Sequence, residues 1–224
     1  TTPDVCANIY PGAISQYIAG KGLYPHDKLP GFYDFVYERS PKEIVDAFTY
    51  RDGHVYQIPW KANPVMLAYN VNLLRENGID PRSLSTYSGF LKAAEKLAKD
   101  TDGDGRIDQW LYAPSTDVTW WQRFFDFYTL YIAASGGKTL LDDRGRVAFE
   151  DEAAVAVFTF LRTLFDKKLV PKGTLIGDQF LGGKVATTIT GPYSIPYYDQ
   201  NAPEGFKYDF MPVPVPDGHK GPVV

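Results

Sequence analysis

Apolar and less apolar positions alternate over Val185, Thr187 and Ile189, between Gly183 and the pair Gly191-Pro192. A period of two predicts a half-buried strand, and Gly-Pro predicts the turn that ends it. Tyr193 stands just past that turn. The pattern therefore places a flat ring at the carboxyl edge of a sheet, where α/β proteins bind ligands. The plainer alternative is an ordinary strand and turn with a core tyrosine. Elsewhere the period is helical. Thr86 is placed to cap a helix with the apolar stripe Phe90, Leu91, Ala94, Leu97 and Ala98. Asp151 is placed to cap a longer helix, striped by Val155, Phe158, Leu161, Leu164, Phe165 and Leu169. Lys167 and Lys168 sit at its negative end and Pro171 stops it. Residues 120–134 predict one aromatic helix with polar breaks at Gln122, Arg123 and Asp126.

Toward the N-terminus, residues 1–10 read as a strand ending at Tyr10, followed by Pro11-Gly12 and a short helix through Tyr17 and Ile18. A Gly/Pro-punctuated loop covers 20–31. Residues 41–48 predict a short helix, with Ser40 as its N-cap and Pro41 in its first position. Residues 49–56 predict a hairpin, because Asp52-Gly53 is flanked by strand formers. Strands alternate with helices throughout, so the fold class is α/β. Neither an internal repeat nor a low-complexity tract is present.

Composition narrows the function classes. The 224 residues suffice for one large or two small domains. They are 44% hydrophobic and 15% aromatic, with 16 Tyr, 14 Phe and 4 Trp. Most of these rings must fill a core, but Tyr and Trp also offer an apolar face with a polar handle, which suits carbohydrate. The net charge is −4, with acids and bases interspersed and no basic stripe, which argues against nucleic acid. No run of about 18 apolar residues exists, so no membrane span is predicted. The single Cys6 excludes a disulfide within the chain.

A family resemblance is carried by several motifs in order. Gln57-Ile58-Pro59-Trp60-Lys61-Ala62-Asn63-Pro64-Val65-Met66-Leu67-Ala68-Tyr69-Asn70 runs on through Val71-Asn72-Leu73-Leu74-Arg75-Glu76-Asn77-Gly78-Ile79-Asp80-Pro81. This segment closely resembles the passage between the lobes of maltose-binding-protein-like substrate-binding proteins of ABC sugar importers. Ser85-Thr86-Tyr87-Ser88-Gly89-Phe90, Ala133-Ala134-Ser135-Gly136-Gly137, Lys168-Leu169-Val170-Pro171, the strand ending at Gly191-Pro192-Tyr193, and Tyr208-Asp209-Phe210-Met211-Pro212-Val213-Pro214 follow in the family's order. Each is weak alone; in register over nearly the whole chain they are strong.

The resemblance implies a type II periplasmic-binding-protein-like, two-lobe α/β fold. Residues 1–64 would be a partial N-terminal lobe ending in the first crossover, 65–220 the C-terminal lobe, and 221–224 the start of the return crossover. The chain starts without Met and without a signal peptide, as a processed or trimmed product would. It is read here as an internal piece of a longer binding protein, its N-terminal lobe left incomplete.

The implied function is to bind a mono- or oligosaccharide in the cleft between lobes, without changing it. The sugar would then pass to the membrane permease of an ABC importer. The implied location is periplasmic or extracellular, with a lipid anchor on the longer parent compatible with it. A sugar presents C–H faces that stack on rings and hydroxyls that need planar polar partners. Tyr193 aligns with a ring that stacks on bound sugar in the family. Trp60 follows Pro59 at the crossover, where its alternative role is a packed hinge residue. Asn63 aligns with a ligand-facing acid or amide. Asn8 and Tyr10 end the first strand, where relatives place ligand contacts. Trp120, Trp121 and Arg123 open the aromatic helix that faces the cleft in relatives. No Trp, Asp or Arg stands at the maltose binder's corresponding places near residue 10, which puts maltodextrin itself in doubt.

Asp100-Thr101-Asp102-Gly103-Asp104-Gly105-Arg106-Ile107-Asp108 matches the first nine positions of an EF-hand loop. Asp100, Asp102, Asp104, Asp108 and the Arg106 carbonyl would be ligands of a structural calcium. Leu111 stands where the bidentate Glu belongs, and the alternative is a metal-free Asp/Gly turn. The binding role requires no cofactor. Two other function classes fit parts of the pattern: a glycoside hydrolase, from aromatics with carboxylates, and a calcium-stabilised carbohydrate-binding surface module. No nucleophile elbow, phosphate loop, His-Glu-x-x-His or Cys-x-x-Cys favours catalysis.

Overall fold

The computed structural model describes residues 3–7, 11–61, 63–142 and 146–220, with backbone alone at 11, 12, 120 and 121. The chain divides into two compact units, Thr1–Ala62 and Asn63–Val224.

Among its described residues the smaller unit carries the short α-helices α1 (Pro11–Ala19), α2 (Phe32–Tyr37) and α3 (Lys42–Ala47). Phe32, Val36, Val45 and Val55 form its core. The expected hairpin is reduced to one antiparallel bridge, Thr49 to Val55. Gly53 turns it at φ +82°, a conformation that favours glycine. Asp27 ties the hairpin down, accepting from Val55 N at 2.9 Å and pairing with His54 Nδ1 at 2.7 Å. Two expectations change. Pro41, not Ser40, is the N-cap of α3; its ψ of 139° leaves it outside the helix while its carbonyl takes the first N–H groups. Residues 3–7 hold no helix or strand, and the remainder of the expected first strand lies outside the described residues.

The larger unit is built on a three-stranded antiparallel sheet in the order β2-β1-β3. β1 (Met66–Asn70) pairs with β2 (Thr187–Thr190) in the register Met66 to Thr190, and with β3 (Tyr208–Met211) in the register Leu67 to Met211. The predicted strand from Val185 joins the sheet only at Thr187. Val185 instead bridges in parallel to Trp110, with Trp110 N donating to Lys184 O at 2.9 Å and Ala186 N to Trp110 O at 3.0 Å.

Helices cover the sheet. α4 (Val71–Glu76) follows β1 directly, with the Asn70 side chain accepting from Leu73 N at 3.0 Å. α5 (Tyr87–Leu97) is capped by Thr86 as expected. A methyl at Gly89 would sit 1.9 Å from Ser83 O, so glycine there admits the preceding 3-10 turn, Pro81–Ser85. α5 buries Tyr87, Phe90, Ala93, Ala94 and Leu97.

The expected single helix over 120–134 is two elements. A 3-10 segment, Trp120–Phe125, meets α6 (Phe127–Ser135) at Asp126, whose φ of −144° and ψ of −95° break the helix. The buried Asp126 carboxylate accepts from Phe127 N and pairs with Arg123 at 2.9 Å. A capping acid thus starts a new helix where periodicity alone would continue the old one.

α7 (Glu152–Asp166) forms with Asp151 as its cap; of the expected stripe Leu164 and Leu169 are buried and Leu161 and Phe165 pack partly buried against the core, but Ala154, Val157 and Phe160 complete the buried face. Val155 and Phe158 of the expected stripe are 66% and 53% exposed. Phe160 decides the phase by stacking on Tyr87 at 4.2 Å and 11°. α8 (Ile195–Asn201) then leads to β3. Among the described residues, no helix is long and apolar enough to cross a membrane.

Asp151 supplies a pH-dependent contribution. Burial pushes its carboxyl up, but this is outweighed by Ala154 N–H at 3.0 Å, Lys138 Nζ at 3.0 Å and the Tyr131 hydroxyl at 3.2 Å. The net pKa lies below the usual carboxylate value. A lowered folded pKa stabilises above the unfolded value and is lost as pH falls through the folded one. Asp151→Ala is expected to cost about 1 kcal/mol at neutral pH, the scale of a lost cap. The difference should shrink in denaturation series below the ordinary carboxylate range. An equal difference at all pH values would show that the charge plays no part.

Candidate functional site

The start of β1 and the end of β2 meet where Met66 pairs with Thr190. The chain then passes through Gly191 into a single 3-10 turn, Pro192–Ser194. The Thr190 and Ser194 hydroxyls lie 2.6 Å apart and tie the turn to the strand end. Tyr193 projects from the middle of this turn and is 48% exposed. Its ring edge packs over Gly191, which also lies against the carbonyl of Pro64. Tyr193 therefore has one side braced by backbone and much of its surface open. Such exposure is not that of a core ring.

Asn63 precedes Pro64 and is exposed, so the larger unit brings the neighbourhood of Asn63 and Tyr193 to one edge of the sheet. Trp60 belongs to the smaller unit, 63% exposed, with Lys61 Nζ 4.7 Å over its ring. Asn8 and Tyr10 lie outside the described residues, and Trp120 and Trp121 are described only as backbone of the 3-10 segment. Arg123 has defined partners. Its guanidinium donates to Ser115 O at 2.9 Å and Asp117 O at 3.4 Å and pairs with Asp126, fastening residues 115–117 to the start of α6. Burial pushes the Asp126 carboxyl up, against the pull of Phe127 N–H and Arg123. Beside this pair, Phe127, Phe149, Phe158 and Phe165 surround a hollow of about 240 Å³.

Thr190, Ser194 and Pro64 were not legible as site residues. The first two carry a signal, hydroxyls spaced across a Gly-Pro turn, but nothing marks Pro64 without its tertiary neighbour.

In the aspartate loop, Asp100 accepts from Gly103 N at 2.6 Å and Gly105 N at 2.8 Å. These N–H groups, Gly105 first and against burial, hold its carboxyl below the usual range. Asp102 accepts from Asp104 N, and Asp104 from Arg106 N. Carboxylate oxygens of Asp100, Asp102 and Asp104 lie within 4.8 Å of one another. Asp108 is turned to Thr101, accepting from its N at 2.9 Å and from its hydroxyl. It contributes to closing the loop rather than to the three-carboxylate group.

A sequence profile of the family described as "Bacterial extracellular solute-binding protein" matches residues 1–224. The chain belongs to this family, and its fold is of the type II periplasmic-binding-protein kind. An uncharacterized protein from Listeria monocytogenes EGD-e superposes with a TM-score of 0.78 at 31% identity, over 94% of this chain and 51% of that one. The ABC transporter associated binding protein from B. animalis subsp. lactis Bl-04, solved in complex with β-1,6-galactobiose, gives 0.66 at 24%, over 92% and 50%. The maltose/maltodextrin-binding domain MalE from Bdellovibrio bacteriovorus, bound to maltotriose, gives 0.65 at 23%, over 92% and 50%. The chain thus spans about half the length of these solved structures. No curated protein sequence matches it.

Proposed function

We propose that the whole protein binds a mono- or oligosaccharide, unchanged, and delivers it to the membrane permease of an ABC importer from the periplasmic or extracellular side. The observation that carries this reading is Tyr193, a half-open ring braced at the sheet edge beside Pro64. Asn63, exposed and immediately before Pro64, is the planar polar partner expected for hydroxyls. Family membership supports solute binding rather than catalysis. The sugars in the two complexes above support carbohydrate as the solute class. The cleft between lobes, implied by the family resemblance, is where the remaining contacts are expected, Trp60 among them.

A sugar panel on the full-length protein tests the reading. A ligand present at about 100 times its Kd stabilises the folded state by about 2.7 kcal/mol, so a cognate sugar is expected to raise the melting temperature by several degrees. Chromatography should recover that sugar intact. Cleavage at catalytic rates would favour the glycoside hydrolase, and a shift only with a non-carbohydrate solute would replace the ligand class.

For the aspartate loop we propose a structural calcium held by Asp100, Asp102 and Asp104, with the Arg106 carbonyl as in EF-hands. Asp108 would have to turn from Thr101 to join them. Hard carboxylates at alternate positions suit a hard cation, and lack of the bidentate Glu predicts an affinity in the weak, extracellular range of about 10⁻⁴ to 10⁻³ M. Calcium is expected to raise the melting temperature by a few degrees and a chelator to reverse it, with Asp102→Asn removing the response. No response in the parent protein would leave only the hydrogen-bonded turn.

A further inference from the structure

We propose that Gly191 is a positioning residue for sugar recognition, acting through Tyr193; the inference rests on the sugar-binding reading above. The sequence pattern accounts for Gly191 as a strand stop. Its backbone does not need glycine for that: φ −143° and ψ 177° are extended values open to any residue. What it needs is space. A methyl at Gly191 would lie 2.6 Å from the carbonyl oxygen of Pro64, 2.6 Å from Tyr193 Cε1 and 3.0 Å from Tyr193 Cδ1.

Those two neighbours differ in what they can do. The Pro64 oxygen is main chain, just ahead of β1, and β1 is fixed by pairing on both sides. It cannot retreat without disturbing the sheet. The Tyr193 ring is partly exposed and turns about its side-chain bonds. Swinging the ring away would relieve only one of the two contacts, and the Pro64 oxygen would still lie 2.6 Å from the new methyl. A side chain at Gly191 would therefore push the 191–194 turn off the strand end and carry the Tyr193 ring with it. The missing Cβ lets the ring edge rest on the strand end, on the same side as the Pro64 carbonyl. Ordering the ring before ligand arrives removes part of the cost of binding. The Thr190–Ser194 hydroxyl pair holds the same turn from its other side.

A double-mutant cycle on the full-length protein tests this, with β-1,6-galactobiose, maltotriose and glucose as calorimetric probes. Residues that act as one unit are non-additive. Gly191→Ala is expected to weaken the probe that binds best by about tenfold, and to change affinity less than about twofold when Tyr193 is already alanine. Ring placement is read separately by fluorine NMR of protein labelled with 3-fluorotyrosine, the Tyr193 signal being assigned by its loss in Tyr193→Phe. In ligand-free Gly191→Ala that signal should move while most others stay. Equal losses in both backgrounds, an unmoved Tyr193 signal, or a Gly191→Ala protein that does not fold would overturn the proposal and leave Gly191 a purely structural glycine. If no probe binds the parent, or if Tyr193→Ala binds as well as the parent, the sugar reading of Tyr193 fails first and the inference with it. Tyr193→Ala weakening with Gly191→Ala unaffected would refute the positioning role alone.

Discussion

Phe160→Ala is expected to destabilise the larger unit by about 3–5 kcal/mol, the cost of removing a buried ring and leaving its cavity. Phe160 is 3% exposed and joins α7 to α5 through two ring contacts. It stacks on Tyr87 at 4.2 Å and meets Phe90 edge-on at 5.5 Å and 77°. The Tyr87 hydroxyl is buried without a hydrogen-bond partner among the described residues, so its ring is held by packing alone. Burial pushes that hydroxyl's pKa up, which keeps it neutral throughout the working range. Little can move into the gap, because Leu84, Phe90, Leu97 and Leu164 around the same core are already fully buried. Phe158→Ala is the matched control. That ring is half exposed and stacks on Phe127 at 4.4 Å, so about 1 kcal/mol is expected for the lost aromatic pair and its partial burial. Urea denaturation of the two variants separates them. A larger loss at Phe158 would reverse the assignment of the α7 core face.

That pair of positions also shows where sequence reading ran out. α7 carries two apolar stripes at helical spacing, one through Phe160 and one through Phe158. Periodicity fixes that a helix exists and roughly where its apolar face lies, since Leu164 of the expected stripe is buried; the rotation that buries Phe160 and leaves Phe158 half exposed depends on Tyr87, distant in sequence. Local devices were legible. Thr86 and Asp151 cap the helices they were expected to cap, because a cap needs only the N–H groups that follow it. The same logic applied to Asp126 would have split the helix over 120–134, since an acid in an apolar run is a start signal as well as a break. Ser40 failed as a cap because Pro41 already occupies the capping geometry. At the candidate site, the position of Tyr193 just past the end of β2 was legible from the Gly191-Pro192 turn before it. The reason for Gly191 was not: its constraint comes from Pro64, brought alongside only by the pairing of β1 with β2.

Tyr193→Ala is expected to weaken sugar binding by the full-length protein by about 1–3 kcal/mol, the range for truncating a stacking aromatic. On the proposed reading the exposed part of the ring would meet the C–H face of a sugar, and its Cδ1–Cε1 edge already rests near Gly191, so little ordering would be required on binding. Truncation removes that surface and frees the end of the turn. Ligand-free stability should change much less. Tyr193 is 48% exposed, and the turn keeps its Thr190–Ser194 link and its Ser194 N to Gly191 O bond of 2.9 Å. Tyr193→Trp should retain most of the affinity, because a larger ring presents the same face where an aliphatic side chain would not. Calorimetry for affinity and thermal denaturation without sugar for stability separate the two roles. A ring that merely packs would show the opposite pattern, with the ligand-free melting temperature falling sharply and the affinity of the remaining folded protein unchanged. That outcome would return Tyr193 to the core and move the sugar contact elsewhere on the sheet edge, with Asn63 the next residue to replace.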